Sequence, residues 1–311
     1  MKKATNLAKI SITALAALVG AAISVNATIQ GTIVYLMDDL VTTDSSTAGG
    51  YDGTVHNGPT LSTDLPPIAG AGYAGNMSMR FDGTGTSTDP HIRIVDTSAG
   101  GSATDLDTSL TDLTIEAWIK PVEARTMTLY SDAGVRNFNA KSIGLRWYAD
   151  WSASTGDTAQ NVMRWTLQKS DGSQPVNLYT ATDSVPQGEW THVAATIDRA
   201  TGVGQIYING ALAPATNDPN PLGSALSPTD EIHDNAPAEF LEQAVGAEFF
   251  SASIQTTAGW HGNIDEFRMS FSVLDAQEIA MNASTSLVPE PGTFGLIALG
   301  GLLMLRRRRS R

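Results

Sequence analysis

Cysteine is absent from the 311 residues, so no disulfide staples the chain and no thiolate can act as a nucleophile. Basic residues are scarce, 19 Lys+Arg against 32 Asp+Glu, and eight of the nineteen sit at the two ends. A surface of that sign repels nucleic acid and anionic membrane while tolerating divalent cations. Charge of either sign is thin, at 16%, whereas glycine is frequent at 29 residues, a balance that fits a turn-rich all-β domain. An apolar run long enough for a comfortable membrane span is also lacking at the C-terminus. The twelve residues from Phe294 to Leu305 would extend only about 18 Å as a helix, against a bilayer core of roughly 30 Å.

Familiar catalytic motifs are missing as well. The chain has no Gly-x-Ser-x-Gly elbow, no His-Glu-x-x-His pair and no P-loop, and its five histidines are scattered. His192 lies within a strand pattern, and His233 and His261 lie in or beside loops without matched ligands. Gly70-Ala71-Gly72-Tyr73-Ala74-Gly75 fits a dinucleotide fingerprint by letter. Its context rules it out, because Pro66-Pro67 precede it and a strand, not a helix, follows.

The two ends read as handles. Lys2, Lys3 and Lys9 accompany an apolar stretch from Ile10 to Val25 and a small-residue exit at Val25-Asn26-Ala27. This is the pattern of a Sec signal peptide over residues 1–27, cleaved after Ala27. At the other end, Pro289-Glu290-Pro291 precedes the short apolar segment, and Arg306, Arg307, Arg308 and Arg309 follow it. The prolines hold an extended, accessible segment, and the arginines mark the cytoplasmic side. Residues 287–311 therefore form a tail that places the body of the chain across the membrane. Without the ends, 11 Lys+Arg face 31 Asp+Glu, a net charge of about −20.

The cargo, residues 28–286, is dominated by alternation, the mark of strands with one buried face. Met77, Met79 and Phe81 share a face, as do Ile92 and Ile94, and Leu113, Ile115, Ala117 and Ile119. Trp147 and Trp151 are expected on one side of a further strand. Val193, Ala195 and Ile197 precede a return strand carrying Ile206 and Ile208, closed by the turn signal Asn209-Gly210. Residues 213–239 are irregular by composition. Asp275 and Glu278 have capping-box spacing and predict one short C-terminal helix. Together these features predict an all-β fold: a two-sheet antiparallel sandwich with a single helix at its end.

Two resemblances add to this reading. The tail, with Pro289, Glu290, Pro291, the short apolar segment and Arg306 to Arg309, resembles the PEP-CTERM sorting signal. That resemblance implies processing by an exosortase after a transient inner-membrane intermediate. It implies delivery to the cell surface or extracellular matrix of a Gram-negative bacterium; a plain membrane anchor is the simpler alternative. The blocks DSSTAGGYDGTVHNG, GYAGNMSMRFDGTG, LTIEAWIKP, WTHVAATIDRATGVGQIYINGAL and GNIDEFRMSFSVLDAQEIA, in that order, resemble the laminin G-like jelly roll of the concanavalin A-like lectin/glucanase superfamily. This second resemblance implies a structural calcium (Ca2+) held by Asp44 and Asp265, with main-chain oxygens near residues 49–52.

The superfamily includes glycoside hydrolases, and laminarinase-type members carry a Glu-x-Asp-x-x-Glu strand. No such run exists here, and plain alternation would send the adjacent Asp265 and Glu266 to opposite faces. Glu116 lacks an acidic neighbour two residues away, and Glu239 and Glu242 lie outside any strand pattern. The expectation is therefore a non-enzymatic protein that binds glycan or another extracellular polymer. Trp147, Trp151 and Trp260 are the candidates for stacking on sugar rings, if they are not core residues. A structural or adhesive role toward other proteins is the alternative, with a divergent glycosidase or polysaccharide lyase behind it.

Overall fold

A computed structural model of the chain describes residues 32–38, 40, 53–68, 76–84, 89–94, 112–133, 143–152, 156, 158–169, 173–217, 242–250, 253–254 and 258–286. The first strands are β1 (Thr32–Tyr35), β2 (Gly53–His56), β3 (Thr60–Ser62), β4 (Ser78–Asp82) and β5 (His91–Ile94). Longer ones follow: β6 (Asp112–Pro121), β7 (Met127–Ala133), β8 (Ile143–Ser152) and β9 (Thr158–Leu167). Then come β10 (Val176–Thr180), β11 (Thr191–Asp198), β12 (Val203–Ile208), β13 (Ala211–Leu212) and β14 (Ala215–Asn217). The chain continues through β15 (Glu242–Val245), β16 (Phe249–Phe250), β17 (Ser253–Ile254) and β18 (His261–Ser270) to the helix α1 (Ala276–Asn282).

Two eight-stranded antiparallel sheets carry almost all of this. The first runs β13-β12-β11-β6-β18-β4-β3, with β1 also paired to β18. The second runs β14-β10-β9-β8-β7-β15-β5-β2. Strands β16 and β17 form a small separate pair.

The alternation in the sequence explains the layering. Leu113, Ile115, Ala117 and Ile119 of β6 and Val193, Ala195 and Ile197 of β11 all face inward and are fully buried. They meet Ile92, Ile94, Leu145, Trp147 and Trp165 from the second sheet in one continuous core. A large side chain taken fully out of water contributes about 1.5–3 kcal/mol, so this interior needs no disulfide.

Two local breaks in the alternation shape the surfaces. In β18 the pairing with β6 slips by one residue between Asp265 and Arg268, and Glu266 has φ 46°. This is a β-bulge, and it returns Phe267 and Met269 to the core after Ile264. Asp265 and Glu266 are therefore not split between the two faces as plain alternation predicts.

The second break is in β8 and β9, where Asn161 has φ 51°. Trp147, Ala149 and Met163 belong to the main core, but Trp151 packs with Tyr148, Ala159, Val162 and Tyr179 on the outer side of the second sheet. Trp147 and Trp151 do not share a side.

Within residues 213–239, Ala215–Asn217 forms β14 and pairs with β10, so that part is not irregular. The remainder, with His233 and Glu239, lies outside the described residues, as do residues 1–27, expected to be a signal peptide, the glycine-rich 70–75 stretch and residues 287–311. Among the described residues no helix is long and apolar enough to cross a membrane.

Candidate functional site

The outer face of the second sheet is built by β7 to β10. One cross-strand row reads Thr128, Arg146, Arg164, Tyr179, since Thr128 pairs with Arg146, Arg146 with Arg164, and Arg164 with Tyr179. Two arginines directly opposite each other repel, so their surroundings decide whether the row is stable. Arg146 is buried and lies 2.6 Å from the Glu248 carboxylate, which neutralises it.

Arg164 is treated differently. It is half-buried, and no carboxylate pairs with it among the described residues. Its Nε donates to Asn177 Oδ1 at 2.9 Å and its Nη1 to the Tyr148 hydroxyl at 3.4 Å. Its guanidinium carbon lies 4.3 Å from the centroid of the Trp151 ring, a cation–π contact. Flanked by both arginines, the Tyr148 hydroxyl is held below its ordinary pKa in spite of its burial.

Trp151 closes one end of this patch. It is half-buried, its ring meets Tyr148 edge-on at 4.7 Å and lies 6.2 Å from Tyr179, and its Nε1 has no acceptor among the described residues. The other two candidate tryptophans, for which a place in the core was the competing expectation, lie elsewhere. Trp147 and Trp260 are 0% exposed in the core, out of reach of any sugar ring. Trp147 also donates its Nε1 to the Val185 carbonyl at 2.9 Å.

Sequence reasoning missed Arg146, Arg164 and Glu248. A signal for the arginines exists: both β8 and β9 contain an Arg-Trp pair, Arg146-Trp147 and Arg164-Trp165. In each the Trp is inward, so the Arg faces outward on an adjacent strand.

Acidic groups gather on the other sheet. Asp265 is 1% exposed and accepts a hydrogen bond from the Glu266 backbone N–H at 2.8 Å. Burial, with Glu266 and Asp38 nearby, pushes its carboxyl up to about 9, and among the described residues no cation opposes the rise. Asp44 and residues 49–52 lie outside the described residues. Among the described residues no three His, Cys, Asp or Glu side chains are arranged to hold a metal.

Glu116, also 1% exposed, lies under α1: it accepts from Asn282 Nδ2 at 2.8 Å and from Arg268 Nη1 at 2.9 Å. His192 Nε2 is 3.6 Å away. Burial outweighs Arg268 and raises the Glu116 carboxyl to about 7, while burial lowers His192 to about 3. The His192–Glu116 contact is thus not an ion pair at mid-range pH. His261 bridges Glu123 and the Gly83 carbonyl at 3.0 and 3.1 Å, a loop-fixing contact.

The family model described as the concanavalin A-like lectin/glucanases superfamily matches residues 95–280. No curated relative matches the sequence. Among solved structures, the chain is similar to the binding domain of botulinum neurotoxin DC in complex with rat synaptotagmin II. That match has 14% identity and a TM-score of 0.51, covering 83% of this chain and 52% of the other. It is similar as well to the structure titled "Cell entry of botulinum neurotoxin type C is dependent upon interaction with two ganglioside molecules". There the identity is 15%, the TM-score 0.50, and the coverage 81% and 50%. The chain spans about half the length of both, and at these identities the likeness establishes fold alone.

Proposed function

From the premise that the chain belongs to the concanavalin A-like lectin/glucanases superfamily, we propose that it is a non-catalytic, lectin-like surface protein binding an extracellular glycan. The observation that carries this is the position of Trp151: a half-buried indole on an outer sheet face, beside a charged guanidinium and two tyrosines. Aromatic rings of this kind give sugars an apolar platform with polar groups at its edge. Catalysis is set aside because Glu116 and Asp265, carboxyls with raised pKa values, are sealed from a polymeric substrate at 1% exposure.

The same proposal includes export. The signal peptide over residues 1–27 and the sorting tail over residues 287–311, read by an exosortase, would carry the acidic body through the inner membrane to the cell surface. Calcium belongs to it too. Asp265 is a buried carboxyl without a cationic partner among the described residues, the type of group that a hard divalent ion stabilises in its charged form. Asp265, with oxygens from the Asp44 to Asp52 loop, would hold that ion. A chelator should then lower the melting temperature, with about 2.7 kcal/mol lost if calcium had stood at a hundredfold its Kd. An unchanged melting curve in wild type, and in Asp265→Asn, removes calcium from the account.

The glycan reading is tested by presenting the full chain to a glycan array. Retention on a defined set of glycans, lost in Trp151→Ala, is the expected result. Retention of none, with capture of matrix proteins instead, replaces it with the adhesive role.

A further inference from the structure

The row of outer side chains on β8, β9 and β10 has a charge without a carboxylate partner among the described residues. In a chain with 32 Asp+Glu, carboxylates are plentiful, yet one lies on Arg146 and, among the described residues, none pairs with its cross-strand neighbour Arg164. Arg164 is not idle either. Its Nε and Nη1 are tied to Asn177 and Tyr148, and Trp151 lies against its plane, so the guanidinium is fixed in place. The Nη2 edge remains without a partner among the described residues. A fixed guanidinium with one open edge is pre-organised to take an anionic oxygen, because the ordering cost has already been met within the fold. The surroundings point the same way, since the two arginines also hold the Tyr148 hydroxyl below its ordinary pKa.

What sits beside the open edge narrows the ligand. Trp151 is half-buried: its Nε1 is turned inward, with no acceptor among the described residues, and the accessible part of its ring lies within a few ångströms of the charge. A ligand using both features must carry an apolar ring face and a carboxylate a short distance apart. A neutral sugar satisfies only the first requirement, and a bare anion only the second. We propose that this patch is a recognition site for uronic-acid residues of an acidic polysaccharide, with Arg164 taking the carboxylate and Trp151 the ring. The inference rests on the glycan-binding reading above and adds to it the charge of the sugar. It also gives a role to the strong overall acidity of the body, which repels a polyanion in general and makes a fixed cation such as Arg164 the favoured point of contact.

The test measures binding of the full chain to polygalacturonate, alginate and hyaluronan, each against its methyl-esterified form, with dextran sulfate alongside. Esterification removes the negative charge and leaves the ring, so the comparison in wild type needs no variant to fold. At least one acid form should bind roughly tenfold or more tighter than its ester, as expected for one charge-assisted contact. Arg164→Gln should erase that difference while keeping its melting temperature near wild type, and Arg80→Gln, on the opposite sheet, should leave it intact.

Equal binding of acid and ester, or a preference that survives Arg164→Gln, overturns the proposal. So does equal binding of dextran sulfate in wild type and Arg164→Gln at the strength of the uronan, which would mark general polyanion attraction. Binding only to neutral glycans, sensitive to Trp151→Ala, sinks the uronate inference and leaves the lectin reading standing. Binding to no glycan sinks both.

Discussion

Glu116 and His192 meet diagonally across β6 and β11, and their titrations pull stability in opposite directions. Glu116 has its folded pKa raised from 4.5 to about 7, so the stability it contributes is complete below pH 4.5 and is lost as pH rises toward 7. Taken alone that amounts to roughly 3 kcal/mol. His192 has its folded pKa lowered from 6.5 to about 3, so its contribution is present above pH 6.5 and is lost as pH falls toward 3. In wild type the two slopes largely offset between pH 4.5 and 6.5. His192→Gln removes one of them, and its denaturation free energy should fall with rising pH in that window more steeply than wild type. Parallel curves for the two proteins would show that neither group titrates as described. Glu116→Ala should cost about 3–5 kcal/mol at pH 7.5 or above, where Glu116 is charged, because Arg268 would be left buried without its carboxylate. Equilibrium unfolding measures this directly. At this scale the sequence offered the inward set well: period-two alternation placed Leu113, Ile115, Ala117, Ile119, Val193, Ala195 and Ile197 correctly. It could not separate Trp151 from Trp147, because both β8 and β9 change faces along their length, in β9 at the left-handed Asn161, and strict alternation does not show where such a change falls.

Among the elements, α1 is the one whose making is most fully visible in the letters. Asp275 accepts from the backbone N–H groups of Gln277 and Glu278, and Glu278 returns a bond to the Asp275 N–H, completing the predicted capping box. Asp275→Ala should cost about 1 kcal/mol in thermal unfolding. The effect should extend past the helix, since α1 covers Glu116 through Asn282 and lays Ile279 on Ala194 and Tyr207. The Asn209-Gly210 turn was likewise legible, and both residues have the positive φ that a type I′ turn needs, 50° and 78°. Gly210 has a second constraint hidden from sequence: a Cβ there would lie 2.8 Å from Ala280 Cα of α1. Gly210→Ala should therefore destabilise by more than the usual turn penalty and loosen α1, seen as faster amide exchange at Ile279 and Ala280. Unchanged exchange would place the helix free of the turn. The bulge at Glu266 was not legible, because it depends on β1, β4 and β6 all pairing with β18 at once.

For the molecule as a whole, the fold followed from short alternating strands, turn residues and low charge, which leave few solutions other than two packed antiparallel sheets. The proposed binding patch did not follow, because Arg146, Arg164 and Asn177 come from separate strands, Glu248 lies between β15 and β16, and they meet only through sheet order. The ends of the chain make their own prediction. Replacing Glu290, or both Pro289 and Pro291, should leave an uncleaved, membrane-retained precursor, visible as a larger mass in the membrane fraction; an unaltered mature mass and location would exclude exosortase processing. Whether the outer face around Trp151 meets sugar is the central question for this molecule. Affinity of wild type and Trp151→Ala for the best-retained glycan, measured by calorimetry on folded protein, decides it. A loss of roughly tenfold or more, about 1.4 kcal/mol, is the predicted result. Equal affinities would contradict the account.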